Sequence, residues 1–163
     1  QVVSVITTTG FITADYTVWT PFLTVVFFVL LFVGACAGST AGGVKIVRHL
    51  LLVRNSLLDF KRQLHPSAII PVRFNGRAVS SDIISNILAF IMIYISIFGL
   101  GSIALAITGL DFMTAMGATA TCLGNVGPGI GTVGPVNNFA HVSIEGKWML
   151  SFLMLVGRLE LFT

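Results

Sequence analysis

The chain has 163 residues, of which 55% are hydrophobic and 9% charged, with a mean hydropathy of +0.98. Soluble domains carry roughly 25% charged residues, so this balance excludes an ordinary water-soluble domain and points to a bilayer as the main solvent. The net charge of +3 is small, and its placement says more than its size. Cys36 and Cys122 stand far apart in apolar surroundings, which argues against a disulfide framework or a metal site and leaves them as small hydrophobes.

The first feature along the chain is Thr7-Thr8-Thr9-Gly10-Phe11. An apolar run over about 18–33 follows and ends in Gly34-Ala35-Cys36-Ala37-Gly38-Ser39-Thr40-Ala41-Gly42-Gly43. Each glycine costs a helix about 1 kcal/mol, so Gly38, Gly42 and Gly43 predict a break in the helix. The plain alternative is a span that simply ends at the cytoplasmic face. A loop inside the membrane is favoured because the preceding span from Thr20 to Val33 is short and apolar periodicity resumes at Val44, Ile46 and Val47.

Seven of the nine basic residues then fall together: Lys45, Arg48, Arg54, Lys61, Arg62, Arg73 and Arg77. Only Phe60 and Phe74 interleave with them, so a nucleic-acid patch is disfavoured and the positive-inside rule makes the segment a cytoplasmic loop. A second uncharged run, Ile83–Ile107, is long enough to cross a hydrocarbon core of about 30 Å. Asp111–Cys122 is too short to span and predicts a re-entrant half-helix, capped by Asp111. A third run extends from near Lys147 to Thr163.

Gly129-Ile130-Gly131-Thr132-Val133-Gly134 matches a dinucleotide fingerprint in spelling only. No strand precedes it, Pro135 follows at once, and no helix with a ribose-binding acid comes after, so a bent outer loop is the reading. His49, His65 and His141 are scattered and suggest no metal site.

Internal repetition organises the rest. Thr7-Thr8-Thr9-Gly10-Phe11 aligns with Thr121-Cys122-Leu123-Gly124-Asn125, and Leu30–Gly34 aligns with Leu153–Gly157. Thr40 then meets Thr163. The second copy carries a longer Gly- and Pro-rich loop over 126–138. The chain therefore predicts nearly two copies of a unit made of span, re-entrant helix, loop and span, the arrangement that builds tetrameric cation channels. Residues 1–58 close one copy, 59–80 form the basic loop, and 81–163 make the next copy. The chain starts inside a Thr/Gly motif without an initiator Met or signal peptide, stops inside an apolar run, and reads as a piece of a longer protein.

A potassium ion crossing a membrane must exchange its water shell for equivalent oxygens, which rings of backbone carbonyls supply. Non-helical backbone sits at that depth only where it lines a cavity or is buried in protein. Thr7, Thr8, Thr9 and Gly10, and Thr121, Cys122, Leu123 and Gly124 with Asn125 after them, are the candidate carbonyl strands, because glycine admits the torsions such a strand needs.

TTTGF paired with GNVGPG, the string AGSTAGGVK, and the closing GRLELFT resemble the Trk/Ktr/HKT superfamily of potassium transporters, nearest to its bacterial Trk membrane subunits. The resemblance covers essentially the whole chain. It implies an all-α polytopic membrane protein with repeated helix–pore loop–helix units, in which this chain holds most of the third and fourth repeats. It places residues 7–10 and 121–124 on the third and fourth filter strands and makes Gly38–Gly43 a gate beneath them. It implies potassium as the permeant ion without a resident cofactor, a location in the bacterial inner membrane among lipid, a homodimer, and a cytosolic nucleotide-sensing ring as partner.

Arg158 follows Gly157 in an apolar span, where a charge costs several kcal/mol unless it faces water or a partner. One reading is an arginine that snorkels to the interface. The other, supported by the resemblance, is a cationic barrier opposite the Gly-rich loop. Glu160 cannot share its helix face. The leading function is potassium uptake. A sodium-permeable relative, and a membrane enzyme using the Gly-rich loop for a phosphate substrate, are the alternatives; the second lacks an acid, base or nucleophile cluster.

Overall fold

The computed structural model describes residues 1–65, 68 and 70–159. Its elements in order are α1 (Val2–Ile6), α2 (Pro21–Leu30), β1 (Val33–Gly34), β2 (Val44–Lys45), α3 (Ile46–Leu64), β3 (Arg73–Phe74), β4 (Arg77–Ala78), α4 (Ser81–Ile107), α5 (Phe112–Gly124) and α6 (Ile144–Arg158), with a 3-10 turn at Gly131–Val133. The chain is mostly helical, but two short ladders interrupt the all-α expectation. β1 pairs with β2 in parallel, and β3 with β4 antiparallel.

The first apolar run makes a shorter helix than its composition suggests. The Thr20 side chain accepts the Leu23 N–H and Pro21 takes the first helical position, which together fix the start of α2. The helix stops after ten residues, about 15 Å of rise. The chain then turns so that Val33 and Gly34 pair with Val44 and Lys45, closing the Gly-rich stretch into a loop. The break thus comes before the glycines, and the ladder holds the two ends of the loop together.

Helix resumes at Ile46 and α3 runs through Leu64, so a domain boundary at 58/59 falls inside a helix. The reason is continuity of the amphipathic pattern, ended by Lys61 and Arg62 in the last turn, where cations suit the helix C-terminus. Arg62 donates to Asp59 at 2.6 Å and to the Ile70 carbonyl at 2.8 Å, folding the chain back. Asn75 and Gly76, with φ of 48° and 78°, supply the two left-handed residues that a tight hairpin between β3 and β4 requires.

Among the described residues, α4 is the helix long and apolar enough to cross a membrane. Its 27 residues rise about 40 Å. α5 packs between α4 and α6 and is buried along nearly all its length after Met113. Glycine on the neighbouring helix permits that: a Cβ added at Gly101 of α4 would stand 3.0 Å from the Thr119 side chain of α5. Close backbone approach through small residues is how helices pack where lipid removes the hydrophobic drive.

Tyr16 ties the first copy to the second. Its ring stacks on Phe27 at 4.3 Å, and its buried hydroxyl donates to the Gly129 carbonyl at 2.9 Å. Burial, with the nearby Asp15 charge adding to it, pushes the Tyr16 phenol up to about 12.

Candidate functional site

The two copies share a backbone, in a register that differs from the sequence alignment at one of its two matches. Thr8 and Asn125 both adopt left-handed torsions, φ 55° and 53°, and Gly10 and Gly127 follow at 72° and 110°. The hydrogen bonds repeat as well. Thr8 N–H bonds the Val5 carbonyl and Asn125 N–H the Cys122 carbonyl, each at 3.1 Å. Thr9 N–H reaches the Ser4 carbonyl at 3.1 Å, and Val126 N–H the Thr121 carbonyl at 3.0 Å. Thr7–Gly10 therefore corresponds to Gly124–Gly127.

Thr121, Cys122, Leu123 and Gly124 form the last turn of α5 rather than an extended strand. The T-x-x-G spelling misled because threonine serves the helix end here. The Thr121 hydroxyl accepts the Gly127 N–H and donates to the Pro128 carbonyl, both at 3.0 Å, bracing the segment that follows. Asn125, at the left-handed C-cap, donates from its side chain to the Met154 carbonyl at 3.0 Å. The inner-helix match holds its register. Thr20 caps α2 through Leu23 N–H, and Ser143 caps α6 through Gly146 N–H, which sets Gly34 opposite Gly157 as the sequence had it.

These segments converge. A Cβ added at Gly10 would stand 2.7 Å from the Val126 carbonyl oxygen, so the two non-helical segments run side by side. α5 points its C-terminus at this place, where a half-helix presents partial negative charge to a cation.

The Gly-rich loop lies against both. Gly42 N–H approaches the Thr8 hydroxyl at 3.4 Å, and a Cβ added at Gly42 would overlap the Gly124 carbonyl oxygen. From the second copy, Gly157 abuts the Leu123 carbonyl closely enough that a Cβ would overlap it. One residue later the Arg158 guanidinium donates to the Thr40 carbonyl. Lys45, although part of the basic segment, is 6% exposed, and its Nζ donates to the carbonyls of Ser39 at 2.5 Å and Ala41 at 2.6 Å. The loop thus offers carbonyl oxygens to cations, the opposite of the N–H cradle that a phosphate needs.

Comparison with known proteins places this geometry. The model of the TrkH cation transport protein family matches residues 1–163. The chain belongs to this family. It is 43% identical over 168 residues to the Trk system potassium uptake protein TrkI of Halomonas elongata, covering 100% of this chain and 33% of that one. It is 39% identical to TrkH of Salmonella typhimurium, again over 100% of this chain and 33% of the relative. The crystal structure of the potassium transporter TrkH from Vibrio parahaemolyticus superposes with a TM-score of 0.87 at 37% identity, covering 97% of this chain and 33% of that chain. The chain therefore spans about a third of the length of these TrkH-family relatives.

Within this TrkH-family chain, the residues singled out from sequence fall into one neighbourhood. Thr7–Gly10, Gly124, Asn125, the loop Gly38–Gly43 and Arg158 lie around the end of α5. Glu160 and the pairing of Thr40 with Thr163 lie outside the described residues. Sequence reasoning set GNVGPG beside TTTGF but left Gly127 off the candidate segment, although GNVG stands where the first copy has TTTG. It also passed over the grip of Lys45 on the loop; that lysine was counted with the basic segment although it sits beside Gly42-Gly43-Val44.

Proposed function

We propose that this chain carries two consecutive pore-lining repeats of a protein that takes up potassium across the bacterial inner membrane. The observation that carries the reading is the repeated backbone of Thr8–Gly10 and Asn125–Gly127, set side by side at the C-terminus of α5. Successive carbonyls on such segments replace the water shell of a permeant potassium ion. Gly10 and Gly127 supply the left-handed torsions at little steric cost. Residues 7–10 and 124–127 are the filter segments of this proposal, and 1–58 with 81–163 the two repeats.

Gly38–Gly43 and Arg158 form the gate in this reading. The contact of the Arg158 guanidinium with the Thr40 carbonyl supports it, since it joins the inner helix of one repeat to the loop of the other across the space beneath the filter segments. A fixed cation there repels permeant cations until loop and arginine separate. The α4 span crosses the bilayer, the basic segment lies in the cytoplasm, and the outer loop around Asn137 faces outside. Family membership also supports a homodimer and a cytosolic nucleotide-sensing ring as partners of the intact protein. Potassium and sodium uptake by the intact protein, measured in competition, tests the reading: a strong preference for potassium supports it, and equal uptake favours a sodium-permeable relative.

A further inference from the structure

The loop Gly38–Gly43 is held by two cations of different origin, and they divide its carbonyls between them. Ser39 and Ala41 turn their carbonyl oxygens to Lys45 Nζ, at 2.5 Å and 2.6 Å. The intervening Thr40 carbonyl goes to Arg158. The carbonyls on either side of Thr40 are thus held by one ammonium while the Thr40 carbonyl goes to the guanidinium, so fixing the two flanking carbonyls limits where the middle one can point. We infer that Lys45 is a positioning residue that sets the gate: it fixes the loop so that the Thr40 carbonyl is presented to Arg158.

Three observations support a purpose beyond neutralising the lysine. Lys45 is buried to 6% exposure, and a buried ammonium is tolerated only when its donors are met; the loop carbonyls meet two of them. Its backbone pairs with Gly34 in the β1–β2 ladder, so the grip is anchored at the end of the preceding inner helix. Its side chain reaches back over the loop it closes, and the Ser39 hydroxyl accepts the Ala41 N–H at 3.2 Å, stiffening the same three residues. Arg158 is the contact from the second copy, and it receives a carbonyl already aimed.

This inference rests on the gate reading, and its test separates the two. In the intact protein in vesicles, with protein amount and elution profile matched, rubidium flux is measured for Lys45→Met, Lys45→Arg, Arg158→Ala and the Lys45→Met/Arg158→Ala double variant. Separately, with Cys36→Ser throughout, the rate at which a water-soluble thiol reagent modifies Thr40→Cys is compared with and without Lys45→Met. Lys45→Met is expected to raise basal flux at least threefold, Lys45→Arg to stay within twofold of the parent, and the double variant not to exceed the larger single. Thiol modification at position 40 is expected to quicken at least threefold. An unchanged modification rate overturns the role of Lys45 whatever the flux does, and so does a flux in Lys45→Met at or below the parent when Arg158→Ala raises it. If Arg158→Ala leaves flux unchanged, the gate reading fails, while the modification rate still decides whether Lys45 holds the loop.

Discussion

Thr8 and Asn125 occupy the same left-handed conformation, at φ 55° and 53°, each bonding back to a helix carbonyl at 3.1 Å. Residues other than glycine rarely adopt such torsions. Their recurrence at matching places in two copies marks the point where each helix gives way to a non-helical segment. Thr121 then sits where the first copy has Ser4, as a brace before the turn.

The brace is testable. Thr121→Val keeps the shape but removes the hydroxyl that joins Gly127 N–H to the Pro128 carbonyl. A buried donor left unsatisfied costs about 1–3 kcal/mol. A lower melting temperature of the intact protein in detergent is expected, together with weaker discrimination between potassium and sodium. Thr121→Ser should keep most of both.

Asp111 caps α5, accepting the Thr114 N–H at 3.2 Å. The Thr114 side chain leads the causes that hold the Asp111 carboxyl below the usual value, and the backbone N–H groups of the capped turn add to it. A depressed folded-state pKa means stabilisation that is present above the unfolded value of about 3.9 and lost as pH falls through the folded one. Asp111→Ala should cost about 1 kcal/mol at neutral pH, and the gap between variant and parent should narrow on acidification below about pH 4. Thermal unfolding across that range in detergent measures it.

The proposed orientation puts the basic segment on the cytoplasmic side. Cysteines placed beside Arg62 should react with an impermeant thiol reagent only from the cytoplasmic side, and those beside Asn137 only from outside, against a background lacking Cys36. Labelling of both from one side would overturn the arrangement of spans.

On the gate proposal, Arg158→Ala removes a fixed positive charge that repels cations beneath the filter segments. Basal cation flux should rise several-fold. Deleting residues within Gly38–Gly43 should act in the same direction without adding to it, because both open one barrier. A snorkelling arginine predicts unchanged or lower flux.

Much of this was legible in the sequence. Composition and the 83–107 run announced the membrane and α4, because each is a sum over many residues. The register of Gly34 with Gly157 was legible from spelling, since both inner helices share the same apolar order. The T-x-x-G spelling points to Thr121–Gly124, whereas the feature the two copies share is a left-handed residue with a left-handed glycine two positions on. Asparagine serves at the left-handed position in one copy and threonine in the other. Lys45 was hidden by its company. A lysine beside a basic helix reads as solvated, and only the return of its side chain over its own loop reveals the grip.

The central claim, that Gly10 and Gly127 shape two filter segments, is tested most directly by the potassium-to-sodium uptake ratio of the intact protein carrying Gly10→Ser or Gly127→Ser. Serine at either position strains a left-handed backbone, and at Gly10 its Cβ would also press on the Val126 carbonyl at 2.7 Å. The ratio is expected to fall at least fivefold in both variants at matched protein amount. Unchanged ratios in both Gly10→Ser and Gly127→Ser would contradict the account.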